Sequence, residues 1–414
     1  MKKLFAFILF AFILFIANGI KAQIFTNYTT SNSALPGDYV LGGVAVDTNN
    51  YAWFGTGSGV AMYNGSIWTT YTTTNGLPDN YIKCITVDKH NNVWVGTDGF
   101  GVSKFNGTAW TTFTTTNGLA DNGVTAVIAD NNNNIWFGTG GSGVSKYDGT
   151  TWTTYSIAQG FPGDAGIPAS VNCITVDSQN NVWFGTDKGV SKFNGTAFSN
   201  IDMSNTDSLG SNYISALAID VNNNKWIGTL SYGMTKLNSS NSWVKNYRMS
   251  DGLLNNFIQD IVFDTDGVMW IAEYADYNNE GGITKFDGIT WTSYTLTNGL
   301  VNPQIMGIAI DKNKKLWIAT GAGVSFFNPV VSVPETESGQ EFSIYPNPAS
   351  DKIYISHAEE NLNVQIVTLS GQVVLNETLS QYQQSLNTLS LTPGMYLVKM
   401  TSKEQTCSSK LIIR

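Results

Sequence analysis

Asp88-Lys-His-Asn-Asn-Val-Trp94-Val-Gly96-Thr97, then Gly101-Val-Ser-Lys-Phe105-Asn-Gly107 and Trp110-Thr-Thr-Phe113-Thr-Thr-Thr-Asn117-Gly-Leu119, is a stretch that the first 330 residues repeat with small changes. The leading tryptophan recurs as Trp53, Trp94, Trp136, Trp183, Trp226, Trp270 and Trp317. An aspartate stands six residues before each: Asp47, Asp88, Asp130, Asp177, Asp220, Asp264 and Asp311. The spacings of 41, 42, 47, 43, 44 and 47 residues are those of a four-stranded propeller blade. Each copy breaks into four short β-like runs, here strands a to d from the axis outward, divided by Asn-Asn, Gly-rich and Asn-Gly turn chemistry. No copy holds a helix-period run, so the class is all-β.

The outer strand fixes how the ring closes. Its aromatic pair occurs at Trp68/Tyr71, Trp110/Phe113, Trp152/Tyr155, Phe198/Ile201, Trp243/Tyr247 and Trp291/Tyr294, but the seventh copy ends at Phe327-Asn-Pro329 without one. Phe25-Thr-Asn-Tyr28-Thr-Thr, ahead of the first inner strand, supplies it. The sequence therefore predicts a seven-bladed β-propeller closed by an N-terminal strand, which removes the open sheet edge.

Val-Trp-Val-Gly-Thr-x-Gly-x-Gly-Val-Ser-Lys-Phe resembles the two-component-regulator type of propeller repeat, found in extracytoplasmic sensor regions and in free-standing exported proteins. That resemblance covers about residues 24–330 and speaks to fold rather than activity. The chain begins with Met1-Lys2-Lys3 and thirteen apolar residues, Leu4 to Ile16, then Ala17-Asn-Gly-Ile-Lys-Ala22-Gln23. This is a signal-peptide pattern, too short for the about 20 residues of a membrane span, with cleavage expected after Ala22. No transmembrane anchor is expected in the mature chain.

Past Pro329 the repeat stops, and residues 331–341 read as a polar linker. Tyr345-Pro-Asn-Pro348, Gln365-Ile-Val-Thr-Leu-Ser-Gly371, Pro393-Gly-Met-Tyr396 and the basic-ended Lys410-Leu-Ile-Ile-Arg414 mark a second unit of short strands, expected to be a small β-sandwich. It resembles the type A C-terminal sorting domain of the type IX secretion system. That implies passage through the periplasm and that secretion machinery to the outer surface or the medium. The expected organisation is signal peptide 1–22, propeller 23–330, linker 331–341 and sorting sandwich 342–414.

Without the signal lysines, 19 basic residues face 31 acidic ones, about −12, which opposes nucleic-acid or anionic-membrane partners. Cys84 and Cys173 sit ten residues before their tryptophans, where other copies have Gly43, Ala126, Ala216 and Gly307, so they read as small packing residues on non-adjacent blades. Histidine is nearly absent. His90 lies in an a–b turn and His357 in the sorting unit, so no His-based triad or zinc site is expected in the propeller. Streptogramin-type lyases, a related propeller class, use a histidine on the ligand face, and that activity is not expected here. The repeated aspartates are expected to bond their own turns, and Lys104, Lys146, Lys192 and Lys285 to be solvated strand positions.

Departures from the repeat point to the site. The b–c loop of blade six grows to Glu273-Tyr274-Ala-Asp276-Tyr277-Asn-Asn-Glu280-Gly-Gly, and blade four has a long entry loop, Gln159 to Ser170. Both fall on the face of the d–a and b–c loops, which Phe100, Tyr232, Tyr274, Tyr277, Tyr81, Tyr213 and Phe257 are expected to decorate. Aromatic rings at a channel mouth suit a glycan or an extended peptide, with Phe100, Tyr232, Tyr274 and Tyr277 as the candidate contacts; the other reading is ordinary loop packing. The reading is an exported, non-catalytic binding or scaffold propeller. The alternative is an extracellular lyase or hydrolase using the carboxylates of blade six. If the a–b turn centres between the fourth and third residues before the tryptophan, Asp260 faces Glu273 across the hairpin. With Asp276 and Glu280, these acids form a candidate calcium site.

Overall fold

In the computed structural model, residues 25–204, 209–327, 343–356, 361–368, 373–380, 385–401 and 406–414 are described. The expected signal segment 1–22, Ile24, the expected linker 331–341 and His357 lie outside them. The chain divides into two compact units, Met1–Asn328 and Pro329–Arg414.

Among the described residues, the first unit contains seven antiparallel four-stranded sheets. Six are built from consecutive strands, such as Ile82–Val87, Val93–Thr97, Val102–Phe105 and Trp110–Phe113 in blade two. The seventh takes its outer strand, Phe25–Tyr28, from the start of the chain. Phe25 pairs with Phe327 and Tyr28 with Val324. Phe25 is buried between Tyr294 and Phe327. The inner strands touch in cyclic order, and that of blade seven, Ile305–Ile310, meets that of blade one, Val44–Val46, so the sheets form a closed ring.

Each repeated residue type has a local cause. In blade two the Asp88 carboxylate accepts the His90 and Asn92 N–H groups with one oxygen, and the Trp94 indole at 3.0 Å with the other. The Asx turn expected from the sequence thus also ties down the buried tryptophan. Burial alone would raise the Asp88 pKa, but these donors hold it below the usual carboxylate value. In Thr114-Thr-Thr-Asn117-Gly-Leu119, Thr114 caps a single turn and Asn117 accepts its N–H at 2.8 Å. Gly118 takes φ 112°, and Leu119 drops into the core. Lys104, Lys146, Lys192 and Lys285 lie 5.2–5.9 Å over the tryptophan rings of the neighbouring strand, so they are partly packed by cation–π contact rather than merely solvated.

Asparagines join neighbouring blades on the a–b turn face. The N–H groups of Thr48, Lys89, Asn131 and Lys312 each donate to the Oδ1 of the next blade's Asn91, Asn133, Asn180 and Asn50. These acceptors are held at φ 61–68°, a conformation asparagine tolerates better than most residues. His90 belongs to this face, its Nδ1 2.9 Å from the Asn133 amide. Cys84 and Cys173 are free thiols.

The second unit has one sheet of Ser343–Tyr345, Lys352–Ser356 and Ser385–Asn387. Its other sheet orders Val373–Ser380, Asn361–Thr368, Gly394–Thr401 and Thr406–Ile413. Ile353, Ile355, Val364, Ile366, Val398 and Leu411 form its core. The asparagine of Tyr345-Pro-Asn-Pro348 clamps the last strand: Asn347 donates to Lys410 O and accepts from Ile412 N.

Candidate functional site

The mouth of the ring on the d–a and b–c loop face is set in blades two to seven by the residue just before the inner strand: Tyr81, Gly123, Ser170, Tyr213, Phe257 and Gln304. In blade one, Tyr39, five residues before Val44–Val46, takes the equivalent place by accepting the Gly57 N–H. The backbone rule is the same around much of the ring: the fourth residue after the tryptophan donates its N–H to the mouth residue's carbonyl. This links Gly57 to Tyr39, Asp187 to Ser170, Tyr274 to Phe257 and Gly321 to Gln304. In blade six the donor is itself aromatic, so the Phe257 and Tyr274 rings pack with centroids 5.1 Å apart.

Gly57 separates Tyr39 from Tyr81; a Cβ there would lie 3.6 Å from the first ring and 3.8 Å from the second. Burial raises the Tyr39 hydroxyl pKa, and the phenols of Tyr81 and Tyr274 add to that shift. Blade seven, between Tyr274 and Tyr39, offers only Gln304 and Gly321 there. Blade seven therefore lies between aromatic neighbours on either side. Tyr39, absent from the sequence-based site, was signalled by the alignment of Asp38-Tyr39-Val40 with Asn80-Tyr81-Ile82.

Of the residues expected on this face, Tyr81, Phe257 and Tyr274 belong to this cluster. Phe100 (56% exposed) and Tyr232 (50%) stand on their own b–c loops, each held by its N–H on the threonine at the end of strand b. Tyr277 is fully exposed at the tip of its loop. Among the described residues no ring contact links these three to the mouth cluster. The long entry loop of blade four folds into a small hairpin, Gly163–Asp164 with Ile167–Pro168, anchored by buried Phe161.

The expected opposition of Asp260 and Glu273 is not found. Asp260 pairs with Ala272 and Glu273 with Ile258. The a–b connection is a five-residue loop closed by Asp264 N–H to Val268 O, with Gly267 at φ 81°. It therefore centres on Asp266, half a residue earlier than assumed. A bulge between Ile258 and Asp260 then shifts the strand end again. The same bulge recurs in blades two to five and in blade seven.

The two acids consequently occupy different surroundings. Asp260 is half-buried in the wall of the axial passage, where it accepts from Ile308 N of the next blade at 3.0 Å and from its own Ile261 N. Burial pushes its pKa up to about 6 against those donors. Glu273 is sealed, 0% exposed, with Oε1 accepting the Leu254 N–H at 2.9 Å and Oε2 the Thr284 hydroxyl at 2.5 Å. Burial pushes it up to about 8, with Thr284 and the loop N–H groups opposing. In the other blades a threonine stands here and closes its own b–c loop, as Thr97 does by donating to Gly101 O. In blades three and seven the d–a loop N–H instead reaches the strand c serine, Ala120 to Ser145 and Val301 to Ser325. Glu273 is inserted between these two partners and serves as a strut.

Asp276 is exposed and bonds its own turn through Asn278 and Asn279, and Glu280 is exposed at the loop's end. Among the described residues no group of three or more His, Cys, Asp or Glu is arranged to hold a metal ion. The four expected calcium ligands are thus distributed between the passage wall, the sealed interior and the loop surface.

Residues 76–99, 118–141, 166–188 and 252–274 match the family described as Two component regulator propeller, and residues 343–414 match Secretion system C-terminal sorting domain. No curated protein matches the sequence. The fold is similar to that of PorZ, a surface component of the type IX secretion system of Porphyromonas gingivalis, with TM-score 0.59 and 19% identity over 92% of this chain. The chain spans 60% of that protein's length. It is also similar to a virginiamycin B lyase from Staphylococcus aureus (TM-score 0.57, 13% identity, 73% of this chain and 97% of that one). A third likeness is to YCF48, solved with D1 peptide (0.54, 12%, 73% and 95%). At these identities the likeness is one of fold. No helix among the described residues is long and apolar enough to cross a membrane. The chain is thus an exported protein of the cell surface or medium, built of two-component-regulator propeller repeats and ending in a type IX secretion C-terminal sorting domain.

Proposed function

We propose that the propeller is a non-catalytic binding or scaffold module that takes its ligand across the aromatic mouth. The observation that carries this reading is the placement of Tyr39 and Tyr81 on either side of Gly57, and of Phe257 packed on Tyr274, at equivalent mouth positions of three blades that flank blade seven. Phenol rings with free edges and hydroxyls suit a chain with alternating flat and polar faces, a glycan or an extended peptide. The sealed position of Glu273 favours binding over acid–base chemistry, because a substrate cannot reach a carboxylate that is 0% exposed.

The test is to screen the purified full chain on glycan and peptide arrays, then to measure each hit with Tyr81→Ala and Tyr274→Ala by calorimetry. Losing an aromatic stacking partner should weaken binding roughly tenfold. Hits that bind both variants as tightly as the parent would refute the mouth as the site.

A further inference from the structure

The opposite mouth, on the a–b turn face, has a different chemistry. The residue seven before each tryptophan is apolar and half-buried in every blade: Val46, Val87, Ala129, Val176, Ile219, Phe263 and Ile310. Four of them, Val46, Val87, Ala129 and Ile310, wall a cavity of about 310 Å³ that opens on this face, at the small end of the range for ligand pockets. Two residues further along the chain, at the rim, stand Thr48, Lys89, Asn131, Ser178, Val221, Thr265 and Lys312, all exposed. That rim carries two cations and no acid.

Lys89 and Lys312 flank blade one and border the cavity. Each ammonium reaches a backbone carbonyl of the next blade, Asn131 O and Thr48 O. These bonds aim the ammoniums along the rim and leave each with further N–H donors. Among the described residues neither has a carboxylate partner within 4 Å. Asp47 and Asp88 also border the cavity but are 6% and 4% exposed. Both are committed to their own turns and to the indoles of Trp53 and Trp94.

We infer that this throat is a second binding site, for a single-tailed aliphatic carboxylate whose chain lies between Val46, Val87, Ala129 and Ile310 and whose head group sits between Lys89 and Lys312. An apolar wall alone would accept many tails; the unpaired cations select an anionic head and disfavour a cationic one. This site is separate from the aromatic mouth and does not rest on it.

The experiment is calorimetry of the full chain with hexanoate, octanoate and decanoate below their micelle concentrations, with decyltrimethylammonium for comparison. Saturable binding should tighten roughly fourfold per added methylene, and the cationic analogue should not bind. The exposed-site double variant Lys89→Met/Lys312→Met keeps the side-chain stems and should weaken decanoate at least tenfold, and Ala129→Phe should block the throat. Tyr81→Ala should leave decanoate binding unchanged. Flotation with anionic vesicles distinguishes a free acid from an acyl chain presented by a membrane, and the site predicts no flotation. Absence of decanoate binding, equal affinity in the double variant, or binding to vesicles but not to decanoate would overturn the assignment.

Discussion

Replacing Glu273 by glutamine tests whether the odd residue of blade six is a strut held in its neutral form. Burial lifts this carboxyl from 4.5 to about 8, so the folded state binds its proton more tightly than the unfolded chain. The resulting stability is fully present below pH 4.5 and is lost as pH rises towards 8, at most about 5 kcal/mol at 1.36 kcal/mol per unit. Asp260, raised to about 6, contributes in the same direction but has finished titrating by pH 7. The window from pH 7 to 9 therefore isolates Glu273. About 1.4 kcal/mol of its share falls there, roughly 3 °C in melting temperature for a unit of this size. Glutamine can accept the Leu254 N–H with its carbonyl and offer its amide to Thr284, so Glu273→Gln should fold. Circular-dichroism melts of parent and variant at half-unit steps should show the parent falling across this window and the variant staying flat. Parallel losses in both proteins would refute the buried, proton-holding strut.

Asp88→Ala removes the acceptor of the Trp94 indole and of two turn N–H groups, and should cost about 3 kcal/mol in urea unfolding. Asp264→Ala, whose carboxylate serves the Asp266 and Val268 N–H groups, should cost about 1 kcal/mol; equal losses would contradict the indole's role. Deleting residues 24–30 should strip the outer strand from Gly323–Phe327 and remove buried Phe25, lowering the melting temperature by well over 5 °C, and an unchanged melt would refute closure by this segment. Removing residues 342–414 should leave a folded propeller in the periplasm, and normal amounts at the surface, followed by immunoblot of cell fractions, would contradict the sorting role.

Much of the fold is legible in the sequence because it is decided within about 40 residues at a time. Asp88, Trp94 and Thr97 act through bonds inside one blade, so their recurrence counts the sheets, and the displaced Phe25/Tyr28 pair locates the closing strand. Tyr81, Phe257 and Tyr274 could be placed on the loop face for the same reason. The tertiary structure decided three other things. A five-residue turn and a bulge moved Glu273 from Asp260 to Ile258, and because strand faces alternate, so small a slip changed a supposed cation site into an interior strut. Ring curvature brought Tyr39 near Tyr274, residues 235 positions apart in the chain, across a blade that offers only Gln304 and Gly321. The same curvature gathered Val46, Val87, Ala129 and Ile310, from four blades, into the wall of one cavity. Local hydrogen bonding repeats along the chain and can be read from it, whereas proximity across the axis depends on the angle between sheets, which no single repeat encodes.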